Sequence, residues 1–349
     1  MPISKAEIEE IREYLLKSER PVYFFDDDPD GLSSFLLFYR FVGRGKGVIV
    51  KSSPEVKEEY AAKVNEYSAD TVFVLDKPLM SQEFVEKCAT KIIWLDHHEP
   101  VKLSGVNYYN PRISEAHDGR PTSYWCYRVV QQDLWLAIVG VIGDWYLPDK
   151  LADKFSKEYP DLLPEKMKDP AEVLFNTKLG ELSRVFAFAL KGKTTDVMKC
   201  IKILTRIKSP YEILREESSA GRFIYKKYLA VKKEYDELVK DILKHHSNDK
   251  MIIYTYPGQK MSFTGELSNE MLYRFPDRIN IIGRNRGGTL KCSIRSSNGK
   301  LPETIKKCLV GLDGYGGGHE NACGLCVKEK DFETFISRFR EEIAKAEKN

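Results

Sequence analysis

The sequence contains no uninterrupted apolar stretch of the roughly 18 residues that a membrane-spanning helix requires. Its first twenty residues are charged and amphipathic, and they lack the apolar centre of a secretory leader. These two absences predict a chain that does not enter a membrane and that resides in the cytoplasm.

Cysteine and net charge are both scarce for a chain of 349 residues. The seven cysteines are scattered and odd in number, which predicts reduced thiols rather than a disulfide framework. The 55 lysines and arginines almost balance the 52 aspartates and glutamates, so the formal net charge is only +3. This balance excludes a strongly basic nucleic-acid coat, and any anion-binding surface must come from local clusters of positive charge.

The chain is longer than one typical domain, and its length predicts two or three. Residues 1–150 carry short runs that are apolar throughout, as expected of parallel strands that helices cover on both faces. These runs are residues 22–25, 47–51, 71–75 and 92–95. They predict a doubly wound α/β domain, in which ligands bind beyond the carboxyl ends of the strands.

Two further segments follow this domain. Residues 151–248 have the pattern of charged helices punctuated by prolines, which predicts a helical connector. Strand-like runs return in residues 249–349 before a last helical pattern at residues 330–344, which predicts a second, smaller α/β domain. The strand-like runs are residues 251–256, 278–283, 289–295 and 323–328.

Four carboxylates follow the first predicted strand within five positions: Asp26, Asp27, Asp28 and Asp30. Such crowding of like charge is tolerated where divalent cations lie among the oxygens. An acidic turn in solvent has the same composition, but the position directly after a buried strand favours metal binding. Gly31 is expected to let the backbone turn tightly and begin the next helix.

Further candidate ligands end two other predicted strands and an apolar helical run. Asp76 follows the third strand, and Asp96, His97 and His98 follow the fourth. Asp144 ends the apolar run, where it would also serve as a helix cap. Because the carboxyl ends of parallel strands share one edge of the sheet, the sequence predicts that the strand-end groups meet there.

The order and spacing of these residues resemble the four motifs of the DHH phosphoesterase superfamily. The motifs are matched by Asp26-x-Asp28-x-Asp30-Gly31, by Asp76, by Asp96-His97-His98 and by Asp144. Many members begin the first motif with histidine, whereas this sequence has Asp26 there, as RecJ-type exonucleases do. The resemblance implies a phosphodiesterase that uses two manganese ions, with magnesium as the alternative metal.

The same resemblance implies a role for each residue of the expected catalytic set. One manganese ion would be held by Asp26, Asp28 and Asp76, and the other by Asp30, Asp76, His97 and Asp144. His98 would face the phosphate, and Asp96 would orient the histidines. Two divalent ions suit this reaction because they activate a water molecule and offset negative charge in the transition state.

The second predicted domain resembles the DHH-associated substrate domain in two motifs, Ser293-Ile294-Arg295-Ser296 and Gly316-Gly317-Gly318-His319. Glycines let backbone N–H groups approach a phosphate, which Arg295 and His319 can also bind. The expected substrate-binding set is His98, Ser293, Arg295, Gly316, Gly317, Gly318 and His319. Taken alone, the glycine run is also typical of a flexible turn, and the basic residues Arg284, Arg286, Lys291 and Arg295 are also typical of a solvated sheet edge.

The two motif sets together imply a RecJ-like exonuclease that hydrolyses single-stranded DNA or RNA from an end. The helical connector is similar to that of archaeal RecJ-like nucleases and favours longer strands. Two alternatives stay open: a nanoRNase-like enzyme that degrades short oligoribonucleotides or cyclic dinucleotides, and a noncatalytic scaffold for replication or repair. The implied partners are single-stranded nucleic acid and replication or repair proteins.

Overall fold

The computed structural model describes residues 2–51, 54–245 and 249–346. The chain divides into two compact units, Met1–Tyr228 and Leu229–Asn349, and the boundary lies inside one long helix, Ser219–His245. Within the described ranges, no helix is both long enough and apolar enough to cross a membrane.

The first unit is built on a parallel sheet. Its strands are β1 (Pro21–Asp26), β2 (Lys46–Val50), β3 (Glu55–Val56), β4 (Thr71–Leu75), β5 (Leu79–Met80), β6 (Lys91–Leu95) and β7 (Asn107–Tyr109). Five of them form one sheet in the order β2-β1-β4-β6-β7, and every neighbouring pair is parallel. The chain passes from β1 to β2 on one side and returns to β4 on the other, so the switch point of the sheet lies between β1 and β4.

Helices cover both faces of this sheet, which confirms the predicted doubly wound α/β architecture. They are α1 (Lys5–Lys17), α2 (Pro29–Val42), α3 (Ala61–Glu66), α4 (Gln82–Lys87), α5 (Thr122–Val130) and α6 (Leu134–Gly143). On one face, Tyr23 and Phe25 of β1 pack on Phe35 of α2, with ring centroids 5.6 and 4.6 Å apart. On the other, Phe24 packs on Phe84 of α4 at 5.5 Å. Because both faces of β1 are buried, the strand is apolar until its last residue.

The helices of the predicted connector pack within the first unit as far as residue 228. They are α7 (Asp149–Glu158), α8 (Pro170–Asn176), α9 (Lys178–Ala189), α10 (Thr194–Leu204), α11 (Pro210–Leu214) and the first part of α12 (Ser219–His245). The Ser183 hydroxyl of α9 donates to the Val139 carbonyl of α6 at 3.1 Å, and Phe186 meets Trp135 edge to face. These contacts join residues 178–189 to the helix that carries Asp144 at its end.

The second unit is a mixed sheet with helices, as the sequence predicts for a smaller α/β domain. Its elements are β8 (Met251–Pro257), α13 (Thr264–Arg274), β9 (Ile279–Arg286), β10 (Thr289–Arg295), α14 (Leu301–Cys308), β11 (Gly314–His319), β12 (Ala322–Lys328) and α15 (Glu329–Ala346). The strand order is β11-β12-β10-β9-β8, with β8 and β9 parallel and the other neighbours antiparallel. One face of the sheet buries Ile294, Leu325 and Phe335 in an apolar core.

The glycine run at residues 314–318 is not a flexible turn, so that interpretation of the sequence is wrong. It forms β11, which pairs with β12 from Gly314 to His319. Glycine has a low intrinsic preference for strands, but the neighbouring strand supplies hydrogen-bond partners that the sequence pattern does not reveal.

Candidate metal centre and substrate site

The acidic loop after β1 is held by the start of α2. Asp28 precedes the helix, and its Oδ1 accepts from the Gly31 N–H at 2.9 Å. Gly31 lies in the first turn of α2, so the next helix begins here as predicted, but Gly31 does not form a separate tight turn. A Cβ there would lie 2.6 Å from the Asp26 nitrogen. Gly31 is therefore required for the close approach of α2 to the end of β1.

The predicted ligands converge at the carboxyl edge of the sheet, beside its switch point. Three sets of side chains each offer ligand atoms within 4.8 Å of one another: Asp26, Asp28 and Asp76; Asp30, His97 and Asp144; and Asp76, His97 and His98. His97 Nε2 lies 3.2 Å from Asp144 Oδ2 and 3.4 Å from Asp76 Oδ1. Asp76 and His97 each belong to two sets, so they join the sets into one centre.

Burial and mutual repulsion disfavour the ionised form of several carboxyl groups in this centre. Burial, partly opposed by Lys77, raises the pKa of Asp26 to about 6. Burial and then the nearby Asp144 raise the pKa of Asp30 to about 6. Burial and neighbouring carboxylates also raise the pKa values of Asp28 and Asp76 above their ordinary range. A divalent cation would relieve both causes, because it adds positive charge and direct oxygen ligation.

His97 responds to the same carboxylates in the opposite direction. Burial by itself would lower the pKa of His97, but hydrogen bonds and charge attraction from Asp144 and Asp76 raise it above its usual value. Asp76 Oδ2 is buried and has no hydrogen-bond partner in the part of the chain that the structure describes. A carboxylate oxygen without a hydrogen-bond partner, beside imidazole nitrogens and other carboxylate oxygens, is a suitable ligand set for a hard or borderline divalent ion.

Asp96 holds His98 rather than His97. Its Oδ1 lies 2.8 Å from His98 Nδ1, and its Oδ2 accepts from the His98 backbone N–H at 3.0 Å. Asn110 follows β7 and donates to Asp96 Oδ2 at 3.3 Å and to the His98 carbonyl at 2.9 Å. Asn110 was not predicted from the sequence, because its only local signal is a polar side chain after a strand of three residues.

The start of α5 holds Asp30. The backbone N–H groups of Thr122 and Ser123 donate to its two oxygens at 2.7 and 2.9 Å, and the Thr122 hydroxyl lies 3.3 Å from Asp76 Oδ1. Exposed N–H groups at a helix start favour a carboxylate at this position. Pro121, Thr122 and Ser123 indicate the helix start in the sequence. The contact of Thr122 with Asp30 could not be predicted, because the two residues are 92 positions apart.

Lys77 was also absent from the predicted site. Its side chain has no exposed surface, and its Nζ lies 2.9 Å from Asp26 Oδ1. It directly follows Asp76, whose φ of +59° places the backbone in the left-handed region. The sequence feature that could have indicated Lys77 as a site residue is its position directly after Asp76 at the end of a strand.

The predicted substrate motifs lie together on the second unit. Arg295 and His319 both pair with Ala322, from opposite sides of β12, so their side chains lie on the same face. The backbones of Arg295 and His319 are about 10 Å apart, because one strand, β12, lies between them and each strand spacing is about 4.8 Å. On that face a Cβ on Gly317 or Gly324 would meet no atom within 4 Å. The two glycines therefore leave open space beside Arg295 and His319.

Arg295 is held firmly in this face. Its Nε donates to Asn269 Oδ1 at 2.8 Å, and Nη1 donates to the Ile294 carbonyl at 3.0 Å. Burial lowers its pKa to about 10, so the guanidinium is still charged at neutral pH. Ser293 has the same orientation two residues earlier and its hydroxyl donates to Thr264 Oγ1 at 3.1 Å. Strand alternation also places Arg284, Arg286 and Lys291 on this face.

A parallel sheet with carboxylates and histidines at its switch point, together with a glycine-rich strand in a second unit, gives the chain a RecJ-like fold. Solved structures confirm this fold. RecJ from Thermus thermophilus in complex with Mn²⁺ matches 97% of the chain with a TM-score of 0.71 and 16% identity. The present chain spans about half of that protein, 54% of its length.

Two other structures match the chain over most of their own length. An exonuclease RecJ bound to manganese matches 99% of the chain and 95% of its own, with a TM-score of 0.64 and 17% identity. The DHH domain of a protein assigned to a family of ribosomal proteins matches 98% and 90%, with a TM-score of 0.69 and 15% identity. No family model matches the sequence, and no curated protein matches it significantly. At these identities the likeness establishes the fold.

Proposed function

We propose that this protein is a metal-dependent phosphodiesterase that hydrolyses single-stranded DNA or RNA from an end. The observation that carries the proposal is the convergence of five carboxylates and His97 at one sheet edge, where a buried Asp76 oxygen has no hydrogen-bond partner among the described residues. Manganese in two RecJ structures of similar fold supports that metal, and a RecJ structure with Mg²⁺ supports magnesium as the alternative.

We assign the candidate ligands to two ions. One ion would be held by Asp26, Asp28 and Asp76, and the other by Asp30, Asp76, His97 and Asp144. When bound, the ions would activate water for attack on phosphorus and offset charge in the transition state. The chain itself holds the ligands in place, since Asp30 is fixed by two backbone N–H groups of α5.

His98 is oriented for contact with a phosphate. Because the buried Asp96 carboxylate accepts at Nδ1, the proton on that nitrogen is favoured, and the opposite nitrogen is directed away from Asp96. We propose that this second nitrogen binds a phosphate oxygen of the substrate. Asn110 stabilises the arrangement because it donates to both Asp96 and the His98 backbone.

The second unit would bind the end of the strand. Arg295 supplies a fixed guanidinium, His319 lies in the same row, and Gly317 with Gly324 leaves room for a ligand. A guanidinium and nearby backbone N–H groups are typical partners of phosphate. These features support Ser293, Arg295, Gly316, Gly317, Gly318 and His319 as the substrate-binding set of this unit.

An exposed aromatic side chain supports single-stranded nucleic acid as the substrate. Tyr315 is 70% exposed, and it lies in one row with Cys326 and Lys291 across β11, β12 and β10. Rings that stack on bases, beside cations that meet phosphates, are the usual means of holding single strands without sequence preference. The same face of the sheet carries Arg295. The row with Tyr315 therefore extends the proposed binding surface, so that it can hold more than the terminal nucleotide.

Two alternatives would use many of the same residues. A nanoRNase-like enzyme for short oligoribonucleotides or cyclic dinucleotides needs the metal centre and the phosphate clamp, meaning Arg295, His319 and the glycines beside them. It does not need the row with Tyr315. A noncatalytic scaffold needs no intact ligand set, whereas this chain has all six residues that are expected to bind metal. Replication or repair proteins as partners, and a cytoplasmic location, stay predictions from the sequence.

The decisive experiment is digestion of single-stranded DNA and RNA with Mn²⁺ or Mg²⁺. Strands of two to about thirty nucleotides, labelled at either end, cover both short and extended binding modes. We expect a ladder of products from long strands that depends on added metal. Activity confined to the shortest strands would favour the nanoRNase-like alternative, and inactivity on every strand would favour the scaffold.

A further inference from the structure

Lys77 places a buried positive charge inside the candidate metal centre. Its ammonium lies 2.9 Å from Asp26 Oδ1, and none of its side chain is exposed. Burial of an ammonium is tolerated where an acidic partner replaces the lost water. The Lys77 carbonyl accepts from Trp94 Nε1 at 2.8 Å, and the Trp94 ring stacks on Tyr108 with centroids 4.1 Å apart. Trp94 lies in β6, the neighbour of β4 in the sheet, so β6 fixes Lys77 in position.

The two ligand sets differ in this internal charge. Asp26 belongs to the set with Asp28 and Asp76, and its carboxylate already has a cationic partner. In residues 2–51, 54–245 and 249–346, neither Asp30 nor Asp144 forms an ion pair with a lysine or arginine. Because Asp76 is assigned to both sets, each set has three carboxylates, and the Lys77 ammonium makes the net negative charge lower in the set that contains Asp26.

We propose that Lys77 is a resident cation of the metal centre and makes its two ion positions unequal. The inference rests on the proposed metal-dependent function. The position formed by Asp30, Asp76, His97 and Asp144 binds a divalent cation tightly. The position at Asp26 and Asp28 binds one weakly, and a substrate phosphate supplies the negative charge that completes it. We therefore expect the weak position to be occupied by a divalent cation that is bound together with a phosphate.

Metal titration of charge-removing variants tests this assignment. Lys77→Gln keeps a hydrogen-bond donor for Asp26 and removes the charge, whereas Lys77→Met removes both. The apo form of the full chain would be titrated with Mn²⁺ by calorimetry, and free Mn²⁺ would be counted by electron paramagnetic resonance. For the unmodified chain we expect one tight and one weak ion. In both variants we expect the weak ion to bind at least about tenfold more tightly, because a unit charge at this distance is removed.

Lys91→Met is the matched control, because Lys91 is an exposed lysine at the start of β6 and the same unit of net charge is lost. We expect its two affinities to equal those of the unmodified chain. A purely structural Lys77 would hold Asp26 in place, so its loss would weaken metal binding. Weaker binding in both Lys77 variants, or two equal affinities in the unmodified chain, would overturn the proposal.

Thermal unfolding in chelator shows whether each variant is folded before it is titrated. If Lys77→Met does not fold, Lys77→Gln still gives the decisive affinity. The titration is independent of hydrolysis, so a chain that binds two unequal ions but cleaves no strand would contradict the proposed function and leave the role of Lys77 supported. Addition of inorganic phosphate should tighten the weak ion in the unmodified chain, and an unchanged affinity would contradict the role given to phosphate.

Discussion

Three of the acidic side chains at the sheet edge are held by different partners. Asp28 accepts from Gly31, Asp30 from the start of α5, and Asp96 from His98 and Asn110. These contacts fix the direction of oxygens that would otherwise repel one another. The geometry of the centre therefore depends on residues that are not themselves candidate ligands.

Asp76→Asn should abolish metal-dependent hydrolysis while the fold is retained. Asp76 is the proposed ligand of both ions, and it lies in one cluster with Asp26 and Asp28 and in another with His97 and His98. Its substitution removes a charge that burial and neighbouring carboxylates disfavour. We expect a loss of at least about a thousandfold in kcat, consistent with several kcal/mol of transition-state stabilisation by metal ions. The same loss is expected for His97→Ala. Hydrolysis of a labelled strand and the melting temperature in chelator are the two measurements.

Asp27→Asn is the matched control, because Asp27 lies in the same acidic loop but is not a candidate ligand. It should retain most of the activity. Full turnover in Asp76→Asn would refute the two-ion assignment.

Asn110→Ala should lower kcat by about 10- to 100-fold, the usual effect of removing a group that orients residues at a metal site. The substitution removes donors to Asp96 and to the His98 carbonyl. Steady-state kinetics should show the loss mainly in kcat, with Mn²⁺ affinity changed less. Asn65→Ala, at an exposed position in α3, is the control and should have no effect. An unchanged kcat in Asn110→Ala would show that His98 needs no such support.

At the scale of elements, α2 approaches the end of β1 so closely that only glycine fits at residue 31. In Gly31→Ala, the new methyl group would meet backbone atoms of Asp26 at 2.6 to 2.9 Å. Overpacking of this kind costs about 1–3 kcal/mol, which exceeds the gain of about 1 kcal/mol from alanine in a helix. We expect lower stability in denaturant unfolding and weaker Mn²⁺ binding, because α2 carries Asp30.

Gly119→Ala provides the control for this substitution. A Cβ at Gly119 would meet no atom within 4 Å, so its stability should change by less than about 0.5 kcal/mol. If Gly31→Ala is as stable as Gly119→Ala and binds Mn²⁺ equally well, the close contact with β1 does not matter.

The open face of β11 and β12 makes a second prediction at this scale. Tyr315→Leu should weaken the binding of single-stranded DNA by about 5- to 150-fold, which corresponds to the 1–3 kcal/mol per stacked base found in such proteins. Tyr315→Phe should bind normally, since the ring is retained. Fluorescence anisotropy without catalytic metal measures the affinity, and a strand without bases should not distinguish the variants. Equal affinity of Tyr315→Leu for normal strands would exclude stacking at this residue.

At the scale of the whole molecule, the candidate metal ligands all lie in the first unit and the clamp residues in the second. Addition of Mn²⁺ should therefore slow amide hydrogen exchange near the ends of β1, β4 and β6 and leave β9 to β12 unchanged. At a hundredfold excess of ion over its Kd, binding adds about 2.7 kcal/mol to the free energy of unfolding of the unit concerned. Equal protection of β9 to β12 would contradict this division.

Eight of the ten strands in the two five-stranded sheets could be predicted from the sequence. Residues 71–75 and 289–295 are strands with the predicted bounds, and apolar composition is the reason, because these strands pack on both faces or alternate strictly. Strands β7 and β11 were not predicted. The first has three residues, and the second is mostly glycine, so each depends on the neighbouring strand for its conformation.

The sequence by itself determined which residues could bind metal, because acids and histidines follow apolar strands whose carboxyl ends must share an edge. It also determined the doubly wound fold, since continuous apolar runs require cover on both faces. Only the tertiary structure decided that Thr122 and Ser123 hold Asp30, that Asn110 supports His98 and that Lys77 pairs with Asp26. The physical reason is that these contacts join different strand ends and helix starts, whose proximity follows from sheet order and packing rather than from any local pattern.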